Sequence, residues 1–253
     1  MTNSELREHQ LRALEALDQI KDICDKHGIK FFLLAGTVLG AVRHKGFIPW
    51  DDDIDLGMLP DDLEKFNKVM EESSPEGFTW QTPENDWYHP RLFGKLLWNG
   101  QHCIDIFPIV KTSNNPIQRR TQWFIRKFIF QIYMRKINFI PAVGYKGIKR
   151  KLIFITSWFF AHFFKRDWAV AIARWNESRF NDIDAKYYIN LYSRYTMKKE
   201  MIKKEWVENL APIVFEGKEY LAFKDTDAYL THLYGDYMQL PPEHLRVPTH
   251  GEM

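Results

Sequence analysis

The segment Trp50-Asp51-Asp52-Asp53-Ile54-Asp55-Leu56 sets four carboxylates at the entrance to an apolar run. Consecutive aspartates repel one another unless a cation neutralises them. Asp53 and Asp55 are two residues apart, so on a strand both point to one face, while Ile54 and Leu56 point to the other and can join a core. Two parallel carboxylates at that spacing suit Mg²⁺ (or Mn²⁺), which takes one or two carboxylates and completes its shell with water and substrate phosphates. Asp51 and Asp52 read as an acidic surface turn ahead of the strand. Asp105, alone in the apolar run Cys103-Ile104-Asp105-Ile106-Phe107, is a third candidate. If its strand pairs beside the first, Asp105 faces the same metal or acts as general base on an attacking hydroxyl. Otherwise it pairs with a Lys or Arg. A calcium loop matches at Asp51, Asp53 and Asp55 but fails at Leu56, where Gly is needed, and at Asp62, where Glu is needed.

A phosphate side precedes the acids. In Ala35-Gly36-Thr37-Val38-Leu39-Gly40-Ala41-Val42-Arg43-His44-Lys45-Gly46 a strand ends in Gly-Thr and opens a helix. Free backbone N–H groups and the positive helix end there would seat a phosphate. Gly36 lets the backbone approach, and Thr37 caps the helix and adds a hydroxyl; the plain alternative is a capped helix without ligand. The P-loop spacing is absent. Arg43 and Lys45 could clamp a polyphosphate against the metal. Lys95, in an apolar strand, is a further cation for the substrate, or else snorkels at the strand edge.

The elements that must position these residues follow from periodicity. An amphipathic helix is predicted over Ser4–His27, ended by Gly28. Buried strands are predicted at Phe31–Ala35 and Ile54–Leu59, with a short helix to about His44 between them, and Pro60-Asp61-Asp62 starts a helix over Leu63–Glu72. Strands follow at Phe78–Gln81, Arg91–Trp98 and Cys103–Val110, the last two joined by the turn Asn99-Gly100. Helices are expected over Ile117–Ile137 and Ile148–Phe164, split by Pro141 and Gly144, and over Trp168–Phe180. A hairpin over Pro212–Phe223 turns at Glu216-Gly217, a helix covers Thr226–Tyr234 up to Gly235, and an extended Pro-rich segment closes the chain. His44, His89, His102 and His250 lack zinc spacing and read as structural.

The chain of 253 residues has a formal net charge of +2, which argues against a nucleic-acid partner. Its 45% apolar residues exclude general disorder, and the length suits a large domain or a domain with an insertion. Two cysteines, Cys24 and Cys103, are too few for a disulfide framework, so a reducing compartment is expected. The polar segment Met1–Gln10 shows no secretory signal. The near-neutral total hides a segregation: Ile106–Arg166, 61 residues, holds 13 Lys/Arg and no Asp or Glu, and the rest of the chain is acidic. This block also holds 14 of the 39 aromatic residues. Its longest uncharged run, Leu152–Phe164, is too short to span a membrane. Basic and aromatic helices suit an anionic membrane face; the alternative is an aromatic core with a solvated cationic rim.

The run from Gly36 through Asp55 closely resembles the signature of the LicD family, phosphocholine transferases related to the fukutin-type ribitol-phosphate transferases. Asp105-Ile106-Phe107-Pro108 and Tyr234-Gly235-Asp236-Tyr237-Met238-Gln239-Leu240-Pro241-Pro242 extend the resemblance to both ends of the chain. It implies an α+β fold, a nucleotidyltransferase-like mixed β-sheet flanked by helices; it matches little over about residues 110–210, where the charge segregation reads as a basic, aromatic-rich helical insertion. The implied domains are a catalytic core over residues 1–110, the insertion over 111–182, and a segment over 183–253 completing the core. Gly36 and Thr37 fill the family's first element, Asp53 and Asp55 the second, and Asp105 the third.

The resemblance further implies a CDP-linked donor, often CDP-choline, whose phospho-alcohol passes to a hydroxyl of a glycan acceptor such as lipopolysaccharide or teichoic acid, with release of CMP. Asp53, Asp55 and Asp105 would be metal ligands and, with Arg43, catalytic; Gly36, Thr37, Lys45 and Lys95 would bind substrate. The acceptor could be lipid-linked, and the location cytoplasmic, extending to peripheral attachment at the inner face of the cytoplasmic membrane. Three readings compete: transfer of the nucleotidyl half, an Asp-x-Asp glycosyltransferase, and a peripheral membrane-binding scaffold that would leave the aspartates unexplained. The tail around Tyr234, Asp236 and Pro241-Pro242 is a candidate to close over the site.

Overall fold

A computed structural model describes residues 2–137 and 147–247. The expected break at Pro141 and Gly144, as well as Lys146 and His250, lie outside the described residues. In chain order the elements begin with α1 (Asn3–His27), β1 (Phe32–Leu33), α2 (Ala35–His44), β2 (Ile54–Met58), α3 (Pro60–Ser73), β3 (Phe78–Gln81), β4 (Gly94–Trp98) and β5 (Gln101–Thr112). Three helices follow, α4 (Pro116–Lys136), α5 (Gly147–Phe163) and α6 (Arg166–Ser178). The chain continues with β6 (Tyr187–Asn190), α7 (Met197–Glu200), β7 (Met201–Lys203), α8 (Lys204–Glu208), β8 (Leu210–Phe215), β9 (Lys218–Phe223) and α9 (Thr226–Tyr234). The fold is α+β, with a mixed sheet flanked by helices.

Two compact units divide the chain. The first, Met1–Trp80, Lys95–Ile109 and Ile202–Met253, is the α/β unit. Its sheet runs β1-β2-β5-β4-β3. β1 is antiparallel to β2, and β2 is parallel to β5 with Ile54 opposite Ile104, Asp55 opposite Asp105 and Leu56 opposite Ile106. Ile54, Leu56, Ile104 and Ile106 are fully buried, so alternation aims the apolar set into the core and the acids to the other face. Thr2 and Glu5 form a capping box at the start of α1, and Gly28 ends it in the left-handed conformation. The hairpin β8–β9 turns at Glu216-Gly217, both at positive φ.

The second unit, Gln81–Gly94 and Val110–Met201, is mainly helical. Asn115 caps α4 by accepting from the N–H groups of Ile117 and Gln118, with Pro116 in the first turn. Ile129, Ile132 and Tyr133 of α4 join Ala169, Val170 and Ala173 of α6 and Leu92 in one core cluster. The Tyr133 hydroxyl donates to the His89 carbonyl at 2.6 Å. Arg166 is buried yet satisfied, donating to the carbonyls of Asp86 and Trp87. Val110, Trp123, Ile189 and Leu191 form a second cluster. No helix of the described residues is long and apolar enough to cross a membrane.

Candidate active site

Asp53 immediately before β2, Asp55 on β2 and Asp105 opposite it on the parallel β5 come together: one carboxylate oxygen from each lies within 4.8 Å of the others. Asp51 and Asp53 also group with Asp52 in the same way. The acidic turn is less superficial than its sequence suggests, since Asp52 is buried and Asp51 half-buried. Helix α1 explains this: the buried Gln10 amide donates to the carbonyls of Ile48 (3.3 Å) and Asp51 (2.8 Å), and the His9 ring donates to the carbonyl of Asp52 at 2.8 Å. The backbone entering β2 is therefore fastened from the N-terminal helix.

The start of α2 differs from expectation. Helical conformation begins at Ala35, so Thr37 lies inside the first turn and Leu34 occupies the cap position. The Thr37 hydroxyl instead accepts the N–H of Asp55 at 2.8 Å. The expected free N–H groups are engaged: Ala35 donates to the Tyr229 hydroxyl, Gly36 to Asp55 Oδ2 at 3.3 Å, and Thr37 and Val38 to the Leu34 carbonyl. The helix start thus orients a carboxylate of the acidic cluster rather than presenting bare amides. Ala35 pays for this junction with a φ of 41°, a conformation unusual for a residue with a Cβ. A Cβ on Gly36 would stand 3.1 Å from Asp51 Oδ2 and 3.5 Å from Asp55 Oδ2, so glycine leaves room for the carboxylates to close in.

Lys95 is buried, with its ammonium 3.2 Å from Asp105 Oδ1 and 3.3 Å from His102 Nε2. His102, which has no distinguishing sequence signal, donates from Nε2 to Asp105 Oδ1 at 2.6 Å. Burial alone would raise the Asp105 pKa, but the His102 hydrogen bond and the Lys95 charge hold it well below the ordinary carboxylate range. Asp55 shifts the opposite way: burial, then the charges of Asp53, Asp105 and Asp51, push it well above that range. Three oxygen donors that cannot comfortably ionise together are a donor set suited to a hard divalent cation, so these residues fit the expected Mg²⁺ or Mn²⁺.

Arg43 is half-buried near the end of α2, and its guanidinium donates to the Tyr237 carbonyl at 2.8 Å. Lys45 is exposed at the left-handed cap of α2, its carbonyl accepting the N–H of Glu216. The C-terminal segment reaches this region at further points. The Tyr237 hydroxyl donates to Asp227, and the Arg246 guanidinium stacks 5.6 Å from the Trp50 ring. His44 lies edge-on to the same Trp50 ring, and the His89 ring bonds the Phe93 carbonyl. Cys24 and Cys103 are buried free thiols, and burial pushes both pKa values up to about 12.

An Asp-x-Asp strand, a third carboxylate opposite it on a parallel strand and a Gly-Thr helix start beside them define a nucleotidyltransferase-type domain. Residues 28–146 match the family described as LicD/FKTN/FKRP, nucleotidyltransferase domain. The lipopolysaccharide cholinephosphotransferase LicD of Haemophilus influenzae is 28% identical over 97% of this chain and 96% of its own length. Mouse ribitol 5-phosphate transferase FKRP is 32% identical over 45% of this chain and 23% of its own. An uncharacterized protein of Rickettsia typhi is 28% identical over 53% of this chain and 42% of its own.

Proposed function

We propose that the protein transfers a phospho-alcohol, with phosphocholine the leading candidate, from a CDP-linked donor to a hydroxyl of a cell-surface glycan, releasing CMP. The observation that carries this reading is the convergence of Asp53, Asp55 and Asp105 within 4.8 Å across two parallel strands. The named activities of LicD and FKRP support phospho-group transfer as the reaction class. Asp53, Asp55 and Asp105 would hold Mg²⁺ or Mn²⁺, which when bound neutralises charge on the donor phosphates and the departing CMP.

The protein's own groups divide the remaining work. Asp105, kept ionised by His102 and Lys95, serves as a fixed ligand. Thr37 and the Gly36 N–H hold Asp55 in place. Arg43 meets phosphate charge from the far end of α2, and Lys45 contributes from the exposed cap. The acceptor oxygen bonds to the phosphorus that carries the alcohol, and the bond from that phosphorus to the bridging oxygen breaks. CMP leaves with the bridging oxygen, and the hydroxyl proton passes to solvent. In this reading the α/β unit is the catalytic core, the helices of residues 111–182 are its insertion, and a lipid-linked glycan at the inner face of the cytoplasmic membrane is a fitting acceptor.

The test is CMP release from CDP-choline, CDP-ribitol and CDP-glycerol with a glycan acceptor. One donor is expected to turn over, and Asp53→Asn and Asp55→Asn each to lose about 100-fold or more. Full turnover by either folded variant would overturn the site. Transfer of the nucleotidyl half would instead leave CMP on the acceptor and release the phospho-alcohol.

A further inference from the structure

Helix α5 is apolar on two opposite sides, and among the described residues only the inner one packs against the rest of its unit. On its inner side Ser157 is buried, the Phe160 ring lies 5.1 Å from that of Phe128 in α4, and Ala161 packs against the α4–α6 core cluster. On the outer side Ile148, Leu152, Ile155, Phe159 and Phe163 recur at three- and four-residue spacing with Trp158 beside them, and each is more than half exposed. A water-facing helix carries polar residues there, and a contiguous apolar patch of this kind marks an interaction surface.

We infer that α5 lies in the plane of an anionic lipid bilayer, with this outer face sunk into the boundary between headgroups and acyl chains. Charge selects the occupant. The whole stretch Ile106–Arg166 lacks acidic residues, and the exposed Lys151 sits among the apolar positions. A second copy docked face to face would bring like charge, whereas an anionic leaflet supplies both an apolar interior and an opposite surface charge. Beyond the helix end the exposed Trp168 has the Lys165 ammonium 5.8 Å from its ring centre, a pairing suited to the headgroup level. The uncharged stretch of α5, Leu152–Phe163, is too short to span the bilayer, so the helix lies in the plane. The inference does not depend on the reaction the site performs.

The test sediments the full chain with vesicles of phosphatidylcholine alone and of phosphatidylcholine with phosphatidylglycerol, at low and moderate salt. Binding is expected only to the anionic vesicles and should weaken with salt. The double variant Ile155→Ser/Phe159→Ser is expected to bind ~tenfold or more weakly while keeping its melting temperature, because both side chains are exposed. Lys151→Glu should weaken binding severalfold and steepen no salt dependence. Failure to sediment with anionic vesicles at low salt overturns the inference, as does undiminished binding by the double variant. A concentration-dependent dimer that the double variant abolishes would also overturn it, by making a second copy the occupant.

Discussion

At the residue scale, the acidic site is a balance between two carboxylates treated in opposite ways. Asp105 has cationic and hydrogen-bonding partners; Asp55 has carboxylates around it and a raised pKa. The sign for Asp55 follows from linkage. Below the ordinary carboxylate pKa both folded and unfolded chains hold its proton. As the pH rises past that value only the unfolded chain releases it, so stability falls until the folded pKa is passed. A divalent cation must displace that proton, so the rise in melting temperature on adding Mn²⁺ should grow from pH 5 towards pH 8. Asp55→Asn should remove this shift without lowering the metal-free melting temperature; a metal-induced shift independent of pH, or retained in the variant, would exclude Asp55 as a ligand. Lys95→Met should cost about 3 kcal/mol in urea unfolding, since it strips a buried carboxylate of its cation, and adding Asp105→Asn should recover part of the loss. Asp53, Asp55 and Asp105 are legible in sequence because their apolar neighbours mark strands with period two. His102 and the pairing of Lys95 are not, because the pairing of β4 with β5 decides which side chains meet.

At the scale of elements, the site is held by segments distant in sequence. α1 fastens the backbone from Ile48 to Asp52, and α9 supplies the Tyr229 hydroxyl to the start of α2. Periodicity and end signals reveal α1, α3, the β8–β9 hairpin and α9 with nearly their observed bounds. They do not reveal the true start of α2, because Thr37 looks like a cap until Asp55 is beside it to use the hydroxyl. Nor does sequence mark Gln10, whose position on the buried side of α1 is legible but whose partners are carbonyls some forty residues away. Gln10→Ala should cost about 1–3 kcal/mol by leaving those carbonyls short of a donor. Gly40 is a second fastening. A Cβ there would stand 2.5 Å from the Gly46 carbonyl oxygen, a backbone atom that cannot swing away. Gly40→Ala should therefore lower stability by about 1–3 kcal/mol and, by displacing the loop that leads into Asp51–Asp53, reduce turnover as well. A variant with wild-type urea midpoint and wild-type turnover would show that the loop accommodates the methyl group freely.

At the scale of the whole molecule, the near-zero net charge is the sum of an acidic majority and a cationic, acid-free stretch, a division readable directly from sequence. Three-dimensional partition is a different matter. Gln81–Gly94 joins the helical unit through partners such as Tyr133 and Arg166, far along the chain, and nothing in its composition announces this. Each unit has its own buried core and its own titratable reporter. In the helical unit Glu200 is buried, hydrogen-bonded with Ser193, and burial raises its pKa to about 7 against the opposing influence of Ser193, Arg126 and Lys199. An acid whose folded pKa is raised loses stability as the pH climbs from its ordinary value to the folded one, so Glu200→Gln should gain about 2–3 kcal/mol at pH 8 and almost nothing at pH 4. Mn²⁺ should act on the α/β unit, where the carboxylates converge. Calorimetry at pH 8 is accordingly expected to resolve two transitions, one raised by Mn²⁺ and the other by Glu200→Gln. A single transition raised by both would mean that the two units unfold as one cooperative body.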